Sequence, residues 1–209
     1  MNLICNNCGG AYLYKLLNKP YSNPFMWCCI FSDDMLRLIS EYEHIDFNKY
    51  KLIQLTKDIA DYNNYTDFRP NMFGIELDSK VKVFYTHYLA GYQKTPTTIG
   101  PDVFYFRNYV YVYNKFVSRL QRFLKSSAQP SFMVLTYRRH GWTSEKIQHL
   151  LAIRTKYKMA VITDEPDAVT DNPSTTILHV PDLNVKYKFP AEAIHYNLNG
   201  VLASIGEGK

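Results

Sequence analysis

FMVLTYRRHGWTSEKIQHLLAIRTKYKMAVIT, residues Phe132 to Thr163, is the stretch that decides the fold. Phe132-Met133-Val134-Leu135 is a continuous apolar run, the pattern of a strand buried on both faces. Gly141-Trp142-Thr143 then turns into a helix capped by Thr143, with Ile147, Leu150 and Leu151 as its apolar stripe. Met159-Ala160-Val161-Ile162 is a second buried strand. Strand, helix and strand in this order make a parallel βαβ unit.

The same alternation extends outward. Asn2 to Cys5 reads as a short strand and leads into a helix from Gly9 to about Leu17. Ser32-Asp33-Asp34 starts another, with Met35, Leu38, Ile39 and Tyr42 at helical spacing. Tyr50–Leu55 and Val81–Tyr85 read as strands, Tyr109–Leu124 as an amphipathic helix, and Thr176-Ile177-Leu178 as a shorter strand. The expected architecture is one α/β domain over residues 1–209, an open and mostly parallel sheet with helices on both faces in three layers. Ligands in such sheets bind beyond the carboxyl ends of the strands. That rule marks Asn6–Gly10, Thr86–Tyr88, Thr136–Gly141 and Thr163–Asp167. The Gly206-Glu207-Gly208-Lys209 ending has no closing element, so the domain is expected to belong to a longer protein.

Composition excludes several classes. With 209 residues, 46% hydrophobic and 21% charged, the chain is neither a disordered tail nor a coiled coil. No apolar run approaches the roughly 18 residues that cross a bilayer, and no secretory signal precedes Cys5, so a cytoplasmic protein without a membrane partner is expected. The net charge of +5 favours anionic ligands, but the basic residues are scattered, which argues against nucleic acid. Only Arg119–Lys125, read as a solvated helix face, and Arg138-Arg139-His140 are dense. The 18 tyrosines and frequent asparagines match AT-rich codons rather than a base-stacking surface. Cys5-x-x-Cys8 and Cys28-Cys29 do not form two zinc knuckles, and reduced thiols are expected.

Asn6-Asn7-Cys8-Gly9-Gly10 ends the first strand and opens a helix. A thiol there gains from the helix dipole, which lowers its pKa, and the glycines let a carbonyl or phosphate approach the backbone amides. Cys8 is therefore either a nucleophile over an oxyanion site or a packed thiol beside a turn. A nucleophile needs a base, and His87 and His140 both fall on the marked edge. His195 has Glu192 one helical turn before it. Arg138 and Arg139 suit a diphosphate, and Asp164-Glu165-x-Asp167 a hydroxyl or a capped turn. There is no G-x-G-x-x-G, Walker A, G-x-S-x-G or H-E-x-x-H.

These motifs, in this order, resemble a family assigned to exopolysaccharide biosynthesis. Its Asn-Asn-Cys-Gly start matches Asn6 to Gly10, its Ser-Pro-Phe turn matches Ser22-Asn23-Pro24-Phe25, and its His-Tyr strand end matches His87-Tyr88. An arginine-bearing helix matches Arg119-Leu120-Gln121-Arg122, and Thr-x-Arg-Asp-Gly matches Thr136-Tyr137-Arg138-Arg139-His140-Gly141. The likeness spans roughly Asn2 to Asp182. His140 and Asn23 depart from it, the first replacing an acidic residue. A related family is labelled papain-like for a similar cysteine and histidine. The composition also resembles that of giant-virus proteins, and a giant-virus glycan enzyme similar to this family begins with a sugar N-acetyltransferase domain.

The resemblance implies acetyl transfer from acetyl-CoA to the amine of a UDP-linked amino sugar, without a metal. Cys8, His87 and His140 are then the catalytic residues, with His140 the rival base to His87. Asn6, Asn7, Gly9, Gly10, Tyr88, Thr136, Arg138 and Arg139 bind substrate, and the amides of Cys8, Gly9 and Gly10 hold the oxyanion. Transfer through an acyl-enzyme and direct transfer both stay open. So do a cysteine hydrolase using the same Cys8 and His87, and a non-catalytic nucleotide-sugar or glycan-binding domain.

Overall fold

A computed structural model describes residues 1–21, 23–54, 73–85, 101–187 and 189–207. The first half of the chain runs β1 (Leu3–Cys5), α1 (Gly9–Leu16), β2 (Cys28–Cys29), α2 (Ser32–Ser40), β3 (Tyr50–Gln54), β4 (Phe73–Leu77) and β5 (Lys82–Tyr85). The second half runs α3 (Pro101–Leu124), β6 (Ser131–Leu135), α4 (Ser144–Ala152), β7 (Lys158–Thr163), β8 (Thr175–His179), α5 (Pro190–Tyr196) and α6 (Leu198–Ser204).

The βαβ unit forms as its sequence dictates. Thr143 caps α4 by accepting from the Lys146 amide at 3.3 Å. β6 and β7 pair in parallel with Phe132 opposite Met159 and Leu135 opposite Ile162. β1 and β8 flank them, giving a parallel sheet ordered β1-β6-β7-β8. Successive residues of a strand face opposite sides, and both sides are covered. Ile4, Phe132, Val134, Met159 and Val161 pack with α2, α4 and the last turns of α3. Leu3, Cys5, Met133, Leu135, Ala160 and Ile162 pack with α1, α5 and α6. The α/β architecture with helices on both faces is thus present.

A second sheet, ordered β2-β5-β4-β3 and antiparallel throughout, packs on the α2–α4 side. β4 was not anticipated, and the expected strand at 81–85 joins this sheet rather than the parallel one. A tight turn explains it: Leu77 accepts from Lys80 and donates to Val81, and Lys80 has φ +66°. Such a turn can connect only antiparallel neighbours. β2 bridges the two sheets. Cys28 and Cys29 pair with Tyr85 and Phe84, while the next amide, Ile30, donates to the Asn6 carbonyl at 2.9 Å.

α3 begins at Pro101 rather than Tyr109. Arg122 and Lys125 are exposed, as a solvated face requires, but Arg119 is not. Arg119 is buried, lies 5.5 Å over the Tyr21 ring and donates to the Met26 carbonyl, and Arg122 donates to the Tyr21 carbonyl. Together they hold the segment between α1 and β2. Among the described residues, no helix is long and apolar enough to cross a membrane.

Candidate functional site

The carboxyl ends of β1 and β6 lie side by side, and this brings Asn6–Gly10 against Thr136–Gly141. Several residues marked there turn out to hold the scaffold. Asn6 is fully buried, and its amide spans the Leu135 backbone, donating to the carbonyl and accepting from the N–H, both at 3.0 Å. It extends the β1–β6 ladder by one step with a side chain. Thr136, also fully buried, donates to the Thr163 hydroxyl at 2.9 Å and ties β6 to β7. Both side chains are fully buried and bonded within the sheet.

The two glycines serve packing. A Cβ on Gly10 would stand 2.8 Å from the Cβ of Cys5, and one on Gly9 would stand 2.7 Å from Ile194 Cδ1. Their small size lets α1 lie close to β1 and α5. The amide of Gly9 is engaged as well. Gly9 donates to Asn7 Oδ1 at 2.9 Å, and the Gly10 amide faces the Cys5 sulfur. Of the three amides expected to hold an oxyanion, that of Gly9 is thus already taken.

Cys8 caps α1 without a side-chain cap bond and is half-buried. Its thiol pKa is raised, not lowered: burial dominates, opposed by its own amide and by the Arg139 charge. The dipole advantage of the helix start is outweighed by loss of water. Cys5 is pushed up to about 12 by burial, and Cys28 and Cys29 are raised by the same cause. Cys29 was not singled out in the sequence, yet after burial Cys8 is the largest influence raising its thiol pKa. Adjacent strand residues point to opposite sides, so Cys28 enters the core and Cys29 turns toward Cys8.

Arg138 and Arg139 part ways. Arg138 pairs with Glu165, which also accepts from Ser144 at 3.0 Å, and its backbone amide donates to Asn184 Oδ1 at 2.6 Å. Asn184 in turn donates to the Asp164 carboxylate at 2.9 Å. This network staples the ends of β6 and β7, so Arg138 is not the substitute phosphate ligand that its position suggested. Arg139 turns the other way, over the Tyr137 ring at 4.8 Å, where its charge acts on Cys8, Cys29, Tyr137 and His140.

His140 sits in a 3-10 turn over Arg138–His140 that ends at Gly141, whose φ of +82° favours glycine. It is 7% exposed and stands edge-on to Tyr137. Burial, then the Arg139 charge, hold its pKa down to about 3, so it is neutral and a weak base at physiological pH. His195 is exposed on α5, and Glu192 caps that helix through the Phe189 amide rather than orienting the ring. His87 and Tyr88 lie outside the described residues.

Tyr137 is the residue that sequence reading missed. The period-2 alternation after Met133 and Leu135 places it on the α1–α5 face, beside Cys5. It is 2% exposed, and its hydroxyl has no hydrogen-bond partner among the described residues. The same holds for the Asn7 side-chain nitrogen, on a residue 3% exposed. Among the described residues, no group of three or more His, Cys, Asp or Glu side chains is arranged to hold a metal. Two surface hollows, about 390 Å³ beside Tyr50 and Glu76 and about 300 Å³ beside Leu151 and Asn172, are lined by none of the candidate residues. No protein-family model matches the chain, and no curated protein matches it either.

Proposed function

We propose that the β1–β6 edge is the active site of an acyltransferase that acetylates the amine of a nucleotide-linked amino sugar, in glycan biosynthesis in the cytoplasm. Substrate class and reaction rest on the motif resemblance. The observation that favours it locally is the convergence of Cys8, Arg139, Asn7 and Tyr137 where an open α/β sheet takes its ligands.

The transfer is direct. A thiol raised by burial supplies little thiolate, and the Gly9 amide, one of those that would hold an acyl-enzyme oxyanion, is engaged by Asn7. The sugar amine attacks the thioester carbonyl of acetyl-CoA and its proton passes to a base. The C–S bond then breaks, and the CoA thiolate leaves and takes up a proton. His87 is the base, because a histidine held at about 3 is too weak to take an ammonium-derived proton. Arg139 binds a phosphate of the nucleotide or of CoA.

The test is acetyl transfer from acetyl-CoA to a panel of UDP-amino sugars by wild type, Cys8→Ala, His87→Ala and Arg139→Ala. Direct transfer predicts that Cys8→Ala keeps most of its rate, that His87→Ala loses at least 100-fold, on the order of a general base's contribution, and that Arg139→Ala raises KM. Loss of all activity in Cys8→Ala, with a trapped acetyl-cysteine in the wild type, refutes direct transfer. A wild type that acetylates no sugar amine refutes the acyltransferase.

A binding module is the second reading. It is favoured by the raised Cys8 thiol and the packing role of both glycines. It predicts nucleotide-sugar binding without turnover.

A further inference from the structure

Two polar atoms at this edge are buried without a partner among the described residues, the Tyr137 hydroxyl and the Asn7 side-chain nitrogen. Native folds hold only a few such groups per hundred residues, because losing water without a replacement bond costs about 1–3 kcal/mol; others here, such as Ser79 and Thr175, lie away from this edge. Both lie on the α1–α5 face of the sheet. Tyr137 packs in the same cluster as Cys5, Ala11 and Ile194. Asn7 is anchored to Cys5 of that cluster, because its oxygen holds the Gly9 amide at 2.9 Å and accepts from the Cys5 thiol at 3.5 Å. With the oxygen engaged on both, the nitrogen is left as a pure donor. The half-buried Cys8 and Arg139 border the two buried groups, and Arg139 covers the tyrosine ring. The Asn7 nitrogen and the Arg139 guanidinium can only donate, and the Tyr137 hydroxyl can donate, which suits an oxygen that carries or gains negative charge.

We infer that the Tyr137 hydroxyl and the Asn7 nitrogen together form the oxyanion hole of this site, donating to the thioester carbonyl oxygen of acetyl-CoA in place of the engaged Gly9 amide. The inference rests on the acyltransferase reading. As the amine adds to the carbonyl carbon, the carbonyl pair moves onto this oxygen, and the two donors hold it until the C–S bond breaks. Water-free donors aimed at a developing charge are the strongest kind of transition-state contact, and losing one typically costs 100- to 1,000-fold in rate. The sequence signal is the alternation that sends Tyr137, not its neighbours Thr136 and Arg138, to the face shared with Cys5.

Tyr137→Phe removes one oxygen and leaves the ring, its Arg139 contact and its packing. A structural hydroxyl and a catalytic one then give opposite readouts. The inference expects an unchanged or higher Tm, a kcat lower by 100-fold or more, and an unchanged KM for the amino sugar. Asn7→Asp keeps the acceptor for Gly9 while removing the donor, and is expected to lose rate similarly. Binding of acetyl-CoA and of CoA, by calorimetry, gives a readout without turnover. The wild type is expected to prefer acetyl-CoA, and Tyr137→Phe to lose that preference. If Tyr137→Phe keeps its kcat, or if its Tm falls, the oxyanion hole is refuted while the acyltransferase stands. If the wild type transfers no acetyl group but shows the acetyl preference and loses it in Tyr137→Phe, the amine acceptor is wrong and the donor pair stands. If acetyl-CoA and CoA bind the wild type equally or not at all, the donor pair is refuted.

Discussion

Replacing Asp34 with asparagine should stabilise the protein at neutral pH by an amount that vanishes in acid. Asp34 lies in the first turn of α2, is 7% exposed, and accepts from the Lys82 amide of β5 at 2.9 Å. Burial raises its pKa from 3.8 to about 6, against the pull of the Lys82 amide and the Lys82 and Arg37 charges. Because the folded pKa lies above the unfolded one, the folded state holds its proton longer. Stability contributed by that proton is complete below about pH 4 and is lost as pH rises through 6. The gap corresponds to about 3 kcal/mol, carried as a penalty by the ionised folded protein at pH 7 and above. Asparagine keeps the acceptor oxygen and never ionises. Urea unfolding of both proteins from pH 4 to 8 should give a difference near zero at pH 4, growing to about 3 kcal/mol by pH 7.5. In a chain of this length that is a gain of about 6–12 °C in Tm. His140 pulls the other way, since a folded pKa of about 3 makes the protein less stable as pH falls below 6.5. The difference between wild type and variant cancels that contribution. A difference that does not vary with pH, or a variant that is less stable at pH 8, would refute the reasoning.

Three further outcomes follow from the geometry around β1. Gly10→Ala should lose about 1–3 kcal/mol by overpacking, because its new Cβ meets the Cβ of Cys5, whereas Gly9→Ala meets the movable end of Ile194 and should lose less; equal losses in chemical denaturation would contradict this. Asn6→Ala strands both backbone groups of Leu135 and should cost about 2–5 kcal/mol; a change below about 1 kcal/mol would show that the ladder does not need it. Iodoacetamide at pH 7 should modify Cys8 more slowly than a small free thiol, and Cys5, Cys28 and Cys29 only as the protein unfolds. Faster reaction at Cys8, read by mass spectrometry, would restore it as a nucleophile.

The parallel sheet was legible because its strands are buried on both faces and so contain unbroken apolar runs, as in Phe132–Leu135 and Met159–Ile162. β4 was not, since Phe73-Gly74-Ile75-Glu76-Leu77 mixes a glycine and a glutamate into a short run. That glutamate is nevertheless nearly buried, paired with Lys51 on the neighbouring strand at 2.9 Å. The edge of the site was legible from strand order, but the duties of its residues were not. Asn6 and Thr136 lie at ligand-binding positions and are consumed by the ladder, which only the β1–β6 and β6–β7 pairings reveal. Cys8 sits at a helix start, as read, but a one-dimensional motif carries no information about solvent, and burial decides its thiol. Arg138 and Arg139 are indistinguishable by type. Their separation depends on Glu165 and Asn184, which reach Arg138 from beyond β7.

β1 has its neighbour in β6, and Asn6 meets Leu135 across 129 residues of chain. On the ribosome, at about 5–20 residues per second, the Asn6–Gly10 segment would therefore wait on the order of ten seconds for the strand that completes its edge. The antiparallel sheet needs nothing beyond Tyr85 and can assemble first. Its β2 strand, already docked on β5, then offers Ile30 to Asn6 and holds β1 in place until β6 emerges. The order of synthesis thus makes the smaller sheet a jig for the larger one. The Cys28-Cys29-Ile30 bridge is where a folding defect would leave the whole candidate site unassembled.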